Sequence, residues 1–462
     1  MKAAGAGSNT STRCRARGEA TKASGGEGGL LGGGGLRQAL LEAKAQSRAH
    51  VHSFHRYFGK LIPAIPRFAI RELTRPGDLV LDPFCGSGTT IVEAVLAGRR
   101  AIGLDLNPLA ALVTKAKTTP LDVPVALRTR DRVLAAYERD GAKPAGHTPF
   151  VPNMDHWFRP EVQRDLAILL GHIRRVRHRD VRDFLLACFS AMLRDVSNAD
   201  PRHIFPGYSK RLRAIDAAEG REIHVFDRFR TVTDRRARFV ADFHASRVDG
   251  CRADVFCADS RCIPAQVADV DLIVTNPPYI SSIRYLETMK LEMYWLGFVD
   301  SREAYFALDR RGVGTERLRV APGGRDIPVA PGGARMPRPP QRGAVRDAPL
   351  PPAESIARQL LDAGQPKMAA VVARYFADMS EALAEMARVL RRGGHLVMKI
   401  SDSHVRGIDV PTHALLIELA EQNGLRLLEQ FTDEIRSRSL LTKRNWYSGM
   451  IAHDWILIFR RL

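Results

Sequence analysis

The chain has 462 residues, 45% of them hydrophobic, which suits one large catalytic domain with insertions or two domains. It contains no run of eighteen apolar residues and no recognisable secretory leader, so neither a membrane-spanning helix nor export is expected, and the expected location is cytoplasmic. A formal charge of +19 favours a polyanionic partner, most simply nucleic acid, over an acidic or membrane-buried protein class, although arginine-rich composition also has a codon-bias reading.

Met1 to about Gly35 is low in complexity, ends in Gly32-Gly33-Gly34-Gly35 and has too little apolar surface to order itself; a short helix fits Leu36 to Ser47, and residues 1–48 together are expected to be a disordered Gly/Arg-rich tail. His52 to Pro66 then places aromatic and basic residues, among them Tyr57 and Lys60, directly ahead of the first core elements. Leu79-Val80-Leu81 reads as a buried strand. It runs into Asp82-Pro83-Phe84-Cys85-Gly86-Ser87-Gly88-Thr89-Thr90, a turn whose glycines allow close approach of a ligand to backbone. Ile91 to Ala97 has helical spacing, and Ala101 to Leu104 is a second strand ending at Asp105. This is a βαβ unit with a glycine loop after its first strand and a carboxylate at the tip of its second. Such a pattern suits a nucleoside, whose ribose hydroxyls a carboxylate can accept. A glycine loop alone is weak evidence, since tight turns need glycine for steric reasons. Asn107-Pro108 opens a further helix to Lys117.

From Pro124 to Gly250 the alternation stops. Helices are expected over Trp157 to Arg177 and Val181 to Val196, with arginine-rich faces that would be either solvated surface or a phosphate contact. Alternation resumes at Ala253 to Asp259, followed by the strand Asp271-Leu272-Ile273-Val274 and the loop Thr275-Asn276-Pro277-Pro278-Tyr279. Ile283 to Phe298 reads as helical. Asp309 to Pro352 is a long Pro/Gly/Arg-rich stretch containing the run Arg335 to Arg342. A helix over Met379 to Leu390, a break at Arg391 to Gly394, a strand over His395 to Ile400, a helix over Thr412 to Gln422 and strands over Leu425 to Phe431 and Ala452 to Phe459 complete the chain. The cysteines at 14, 85, 188, 251, 257 and 262 are scattered at spacings unlike zinc knuckles, so free thiols are expected and no metal site.

The Asp82-to-Thr90 loop together with Asn276-Pro277-Pro278-Tyr279 resembles the amino-methylating DNA methyltransferases, which act on N6 of adenine or N4 of cytosine. That resemblance implies an α/β fold of class I methyltransferase type, a Rossmann-like seven-stranded sheet with helices on both faces, carrying here a helical insertion. It implies S-adenosylmethionine as cofactor and double-stranded DNA as partner, with a restriction-modification setting and a cognate restriction endonuclease as an associated expectation. It assigns cofactor contacts to Tyr57, Lys60, Pro63, Asp82, Pro83, Phe84, Gly86, Ser87, Gly88, Thr89, Asp105, Asn107 and Asp259, the last at the position that reads the adenine amino group. It assigns the chemistry to the loop Asn276, Pro277, Pro278 and Tyr279, in which the oxygens of Asn276 and Pro277 accept the target amino protons and Tyr279 stacks on a flipped base.

The expected division is a tail over 1–48, a cofactor-binding half over 49–124, a helical insertion over 125–250 that could recognise DNA, a catalytic-loop region over 251–308, a Pro/Gly/Arg-rich insert over 309–370, and the remainder of the catalytic sheet over 371–462. Adenine and cytosine both remain open as targets, as does the oligomeric state. A guanine-N2 RNA methyltransferase, a glutamine-N5 protein methyltransferase and a catalytically silent DNA-binding protein are the rival readings.

Overall fold

The computed structural model describes residues 50–140, 148–248, 250–280, 284–318, 351–434 and 453–462. The tail expected over 1–48, with its helix at Leu36 to Ser47, and the Arg335-to-Arg342 run lie outside the described residues.

Short apolar runs become strands here because they are covered on both faces. The strands are β1 (Leu79–Asp82), β2 (Arg100–Asp105), β3 (Ala253–Cys257), β4 (Val270–Thr275), β5 (Leu390–Ile400), β6 (Ser403–Val405), β7 (Ile408–Val410), β8 (Leu425–Glu434) and β9 (His453–Arg461). Seven of them make one sheet in the order β3-β2-β1-β4-β5-β9-β8, and β6 pairs with β7 as a separate hairpin for which the sequence carries no turn signal read above. The first five strands in that order are parallel, while β9 runs antiparallel to both β5 and β8. This is the seven-stranded class I methyltransferase sheet that the resemblance implied.

Side chains alternate across the sheet. Val80, Leu272, Val274, Val397, Ile456 and Ile458 point to one face, against α1 (Ala64–Leu73) and α2 (Thr89–Leu96). Leu81, Ile273, Leu396, Met398, Leu457 and Phe459 point to the other, into a core that includes residues of α13 (Pro351–Asp362), α14 (Pro366–Val389) and α15 (Thr412–Gln422). Between β2 and the insertion lies α3 (Pro108–Thr118), whose N-cap Asn107 accepts from the Leu109 amide and whose first position is Pro108.

The insertion is helical as expected, with α4 (Val123–Asp140), α5 (Met154–Trp157), α6 (Pro160–Arg174), α7 (Arg179–Met192), α8 (Lys210–Ala218) and α9 (Val225–Ser246). It does not stand apart from the catalytic sheet. Its buried residues share one core with α3 and with the segment after the catalytic loop, where Trp295 is fully buried between Phe158 and Phe189.

Four local expectations are corrected. The single helix expected over Ile283 to Phe298 is two short ones, α10 (Tyr285–Thr288) and α11 (Lys290–Trp295), broken at Met289 with φ −125° and ψ 21°. The helix expected from Met379 starts at Pro366, because its apolar stripe begins well before Met379, at Met368, Val371, Val372 and Tyr375. Arg391 to Gly394 belongs to β5 rather than to a break; the pairing with β4 slips between Val270 and Leu272, and Gly394 sits so tightly that a Cβ would come 2.9 Å from the Arg391 carbonyl oxygen. Finally, the stretch 351–370 is not part of a polar insert: α13 buries Ala353, Ile356 and Leu360 in the sheet's core.

What matters for the site is that β1 lies between β2 and β4, with Val80 opposite Leu272 and Leu81 opposite Ile273. Strand order reverses at β1, so the loops leaving β1 and β4 open a crevice at their carboxyl ends. Segments far apart in the chain, such as those holding Asp82 and Thr275, are thereby made neighbours.

Candidate active site

The loop after β1 is shaped by its glycines. Gly86 and Gly88 have φ of +51° and +77°; a Cβ on Gly86 would meet the Tyr57 ring at 3.0 Å, and one on Gly88 would fall 2.5 Å from Thr114 Cγ2. Their freedom is therefore used twice, for a left-handed turn and for close approach. The Thr114 hydroxyl donates to the Gly86 carbonyl at 3.0 Å, tying the loop to α3. Asp105, at the tip of β2, accepts from the amides of Gly86 and Asn107, both at 2.8 Å. Asp82 accepts from the Thr275 hydroxyl at 2.8 Å and from the Phe84 amide at 3.1 Å. The first of these bonds joins the two loops directly. Burial raises the Asp82 and Asp105 carboxyls to about 6 each, against opposing hydrogen bonds.

The segment ahead of α1 closes the crevice. Lys60 donates to the carbonyls of His52 and His55 at 2.8 and 2.7 Å, and burial lowers its ammonium to about 8. Gly59, at φ +74°, would bring a Cβ within 2.9 Å of Tyr285, so its carbonyl can lie against the catalytic loop. That carbonyl accepts from Asn276 Nδ2 at 3.1 Å. The opposite end of the same amide, Oδ1, accepts from the Tyr279 hydroxyl at 3.1 Å.

Behind this loop lies a buried polar cluster. Lys399 Nζ donates to the Tyr279 hydroxyl at 3.0 Å and pairs with Asp454 at 2.6 Å; the Ser401 hydroxyl also bonds Asp454. The ammonium is 5.7 Å from the Tyr279 ring centroid, so it lies beyond the hydroxyl at the ring's edge rather than over its face. Burial alone would lower Lys399, but Tyr279 and Asp454 more than offset it and hold the ammonium above its ordinary value; burial pushes the Tyr279 phenol up.

One cavity spans the crevice. Of the residues assigned from sequence, Tyr57, Lys60, Asp82, Pro83, Phe84, Gly86, Ser87, Thr89, Asp105, Asn107, Asn276 and Pro278 line it. Five do not. Pro63 caps the start of α1, and Gly88 faces Thr114. Pro277 is buried behind the loop, and Tyr279 turns its hydroxyl toward β5 and β9. Asp259 lies beyond the end of β3, where Arg261 holds both its oxygens at 2.9 and 2.8 Å while also pairing with Asp378; its neighbour Ser260 lines the cavity instead.

The cavity also has a wall that sequence reading missed: Arg284, Tyr285, Leu286 and the stretch from Leu308 to Glu316, which begins in the last turn of α12 (Arg302–Arg311) and falls mostly in the expected Pro/Gly/Arg-rich insert. Gly314 was the available signal, since at φ +75° its Cβ would lie 3.3 Å from the Tyr279 carbonyl oxygen. Among the described residues no cluster of three His, Cys, Asp or Glu is placed to hold a metal, and no helix is long and apolar enough to cross a membrane.

The residues fit a cationic, ribose-bearing ligand. The carboxylates of buried Asp82 and partly buried Asp105, both costly to ionise in isolation, would gain from a positive charge and from hydroxyl donors. The Ser87 hydroxyl is buried at the cavity with no partner among the described residues, which leaves it available to a ligand.

Residues 41–115 match the N6/N4 family model for DNA methylases. The type II methyltransferase M.MvaI of Kocuria varians is 23% identical over 416 residues, 85% of this chain and 86% of that protein. The type II methyltransferase M.MjaII of Methanocaldococcus jannaschii is 37% identical over 84 residues, 18% of this chain and 16% of that protein. A tRNA (guanine(10)-N2)-dimethyltransferase of Methanothermobacter thermautotrophicus is 38% identical over 63 residues, only 13% of this chain and 18% of that enzyme.

Proposed function

We propose that the chain, which matches the N6/N4 DNA methylase family model over residues 41–115 and is similar to type II methyltransferases, is an N6/N4 DNA amino-methyltransferase: it transfers a methyl group from S-adenosylmethionine to an exocyclic amino group, cytosine N4 or adenine N6, of a base flipped out of double-stranded DNA. The observation that carries the reading is the Thr275–Asp82 hydrogen bond. It sets the start of the Asn276-Pro277-Pro278-Tyr279 loop beside the glycine loop, and one cavity is lined by Asn276 and Pro278 as well as by Asp82, Ser87 and Asp105, which supports a pocket that would take both reactants.

S-adenosylmethionine, when bound, supplies a methyl group made electrophilic by its sulfonium. Asp82 and Ser87 would hold its amino-acid end together with Tyr57, and Asp105 its ribose. The target nitrogen is a poor nucleophile because its lone pair is delocalised into the ring. Asn276 Oδ1 keeps a lone pair beyond the one that Tyr279 occupies, and with the Pro277 carbonyl it would accept the two amino protons and favour a tetrahedral nitrogen. Proline holds that carbonyl in place through its fixed φ. Rate then comes from alignment and preorganised dipoles rather than from a strong base. Flipping costs a few kcal/mol, and stacking on the Tyr279 ring would offset about 1–3 kcal/mol of it.

The net charge of +19 suits a duplex partner, and the arginine-bearing helices of the insertion are the proposed recognition surface. The likeness to type II methyltransferases favours a restriction-modification role with a cognate endonuclease. The short match to a tRNA methyltransferase keeps an RNA base as the second reading, and it is confined to 13% of the chain.

Expression in a methylation-free bacterial host, followed by mass spectrometry of digested nucleosides, tests the proposal. N4-methylcytosine or N6-methyladenine in DNA is the expected product. Methyl groups found only in RNA or protein overturn it. Asn276→Ala should abolish transfer while leaving S-adenosylhomocysteine binding intact; full activity in that variant would remove Asn276 from the chemistry.

A further inference from the structure

The proposed transfer requires one edge of the Asn276 amide to face the target amine, and the role given below to its neighbours rests on that reading. The amide is pinned at both ends, by Gly59 and by the Tyr279 hydroxyl. A phenol has a single proton, and three groups surround this one: Lys399 Nζ at 3.0 Å, Asn276 Oδ1 at 3.1 Å and Asp454 Oδ1 at 3.3 Å. An ammonium can only donate, so Lys399 takes a lone pair of the phenol oxygen. Asp454 already accepts from Lys399 at one oxygen and from the Ser401 hydroxyl at the other, and that second oxygen is the more distant acceptor for the phenol, at 3.3 Å against 3.1 Å for Asn276 Oδ1. The shorter contact directs the phenol proton to Asn276.

We infer that Lys399, held by Asp454, is a positioning residue for methyl transfer: it sets the direction of the Tyr279 hydroxyl and, through it, the orientation of the Asn276 amide. Lys399 and Asp454 are 8% and 7% exposed on the antiparallel strands β5 and β9, where their separation cannot drift. Stability is a poor explanation for the pair, because an apolar replacement of similar volume would escape the desolvation cost of two buried charges. Tyr279 thereby has a hydroxyl role distinct from the stacking role of its ring.

The experiment uses the full chain, unmethylated genomic DNA and radiolabelled S-adenosylmethionine, with calorimetric binding of S-adenosylhomocysteine as a second readout. Tyr279→Phe keeps the ring and should still lower kcat by about 10- to 100-fold, with cofactor-analogue affinity and KM for DNA unchanged. Lys399→Met should lower kcat to a similar extent, and should cost nothing further in the Tyr279→Phe background, since it acts through the hydroxyl. Lys399→Met leaves Asp454 uncompensated and could unfold the chain, so Lys399→Met/Asp454→Leu removes both charges; the same kcat loss at a near-wild-type melting temperature is expected. Full kcat in Tyr279→Phe overturns the inference while leaving the methyltransferase reading intact. So does an equal loss from Lys399→Met with and without the Tyr279 hydroxyl. A wild-type chain that labels no DNA removes both.

Discussion

At the scale of single residues, Asp82 and Asp105 link burial to cofactor affinity. Each carboxyl is raised to about 6 by burial, so ionising them in the empty protein is costly, and their drag on stability grows as pH rises from about 4 through 6 and is complete above that. A ligand amino group and ribose hydroxyls favour the ionised forms. Affinity for S-adenosylhomocysteine should therefore be flat above about pH 7 and fall below about pH 6, by up to about tenfold per unit for each group. Asp82→Asn should remove one of the two steps. Calorimetry between about pH 5 and 8 measures this, and a flat profile in the wild type would strip both residues of the role.

At the scale of elements, the strand–loop–helix unit from β1 through α2 is set by a few backbone demands. Gly88 starts α2 from a left-handed conformation against Thr114 of α3. Gly88→Ala should cost about 1–2 kcal/mol for the positive φ alone, with a further cost from displacing Thr114. Because Thr114 also holds the Gly86 carbonyl, the loss should appear in cofactor affinity as well as in the urea midpoint. A variant with wild-type midpoint and affinity would show that the loop tolerates a side chain there. This unit was readable from sequence: two strands, the intervening helix, the capping Asn107-Pro108 and the terminal carboxylate are all local patterns. The two helices after the catalytic loop were not, since the break at Met289 has no glycine or proline to announce it.

At the scale of the whole molecule, the helical insertion is knit to α3 and to the helices after the catalytic loop, and Phe243 of α9 joins it to the core on one face of the sheet. Phe158 and Phe189 of the insertion enclose Trp295, whose ring centroid lies 5.5 and 6.2 Å from theirs. Trp295→Ala should destabilise the protein by about 3–5 kcal/mol. Calorimetric unfolding should show the insertion and the sheet melting in one transition, shifted together by that substitution; two separate transitions, only one of them sensitive to Trp295, would contradict the shared core.

The chain itself determined the strand and helix alphabet, the glycine loop, the carboxylate at Asp105 and the Asn276-to-Tyr279 loop, because each depends on neighbours within a few residues. Tertiary structure decided which of these meet. Pairing of β1 with β4 brought Thr275 to Asp82, the fold of 308–316 supplied a cavity wall that its polar composition concealed, and Arg261 holds Asp259 outside the cavity lining. Lys399 and Asp454 carry no sequence signature, since they are remote in the chain and only an antiparallel strand pair brings their charged ends to 2.6 Å. Local propensity acts over one turn or one strand, whereas a binding crevice depends on strand order, and strand order is settled by the packing of the whole sheet.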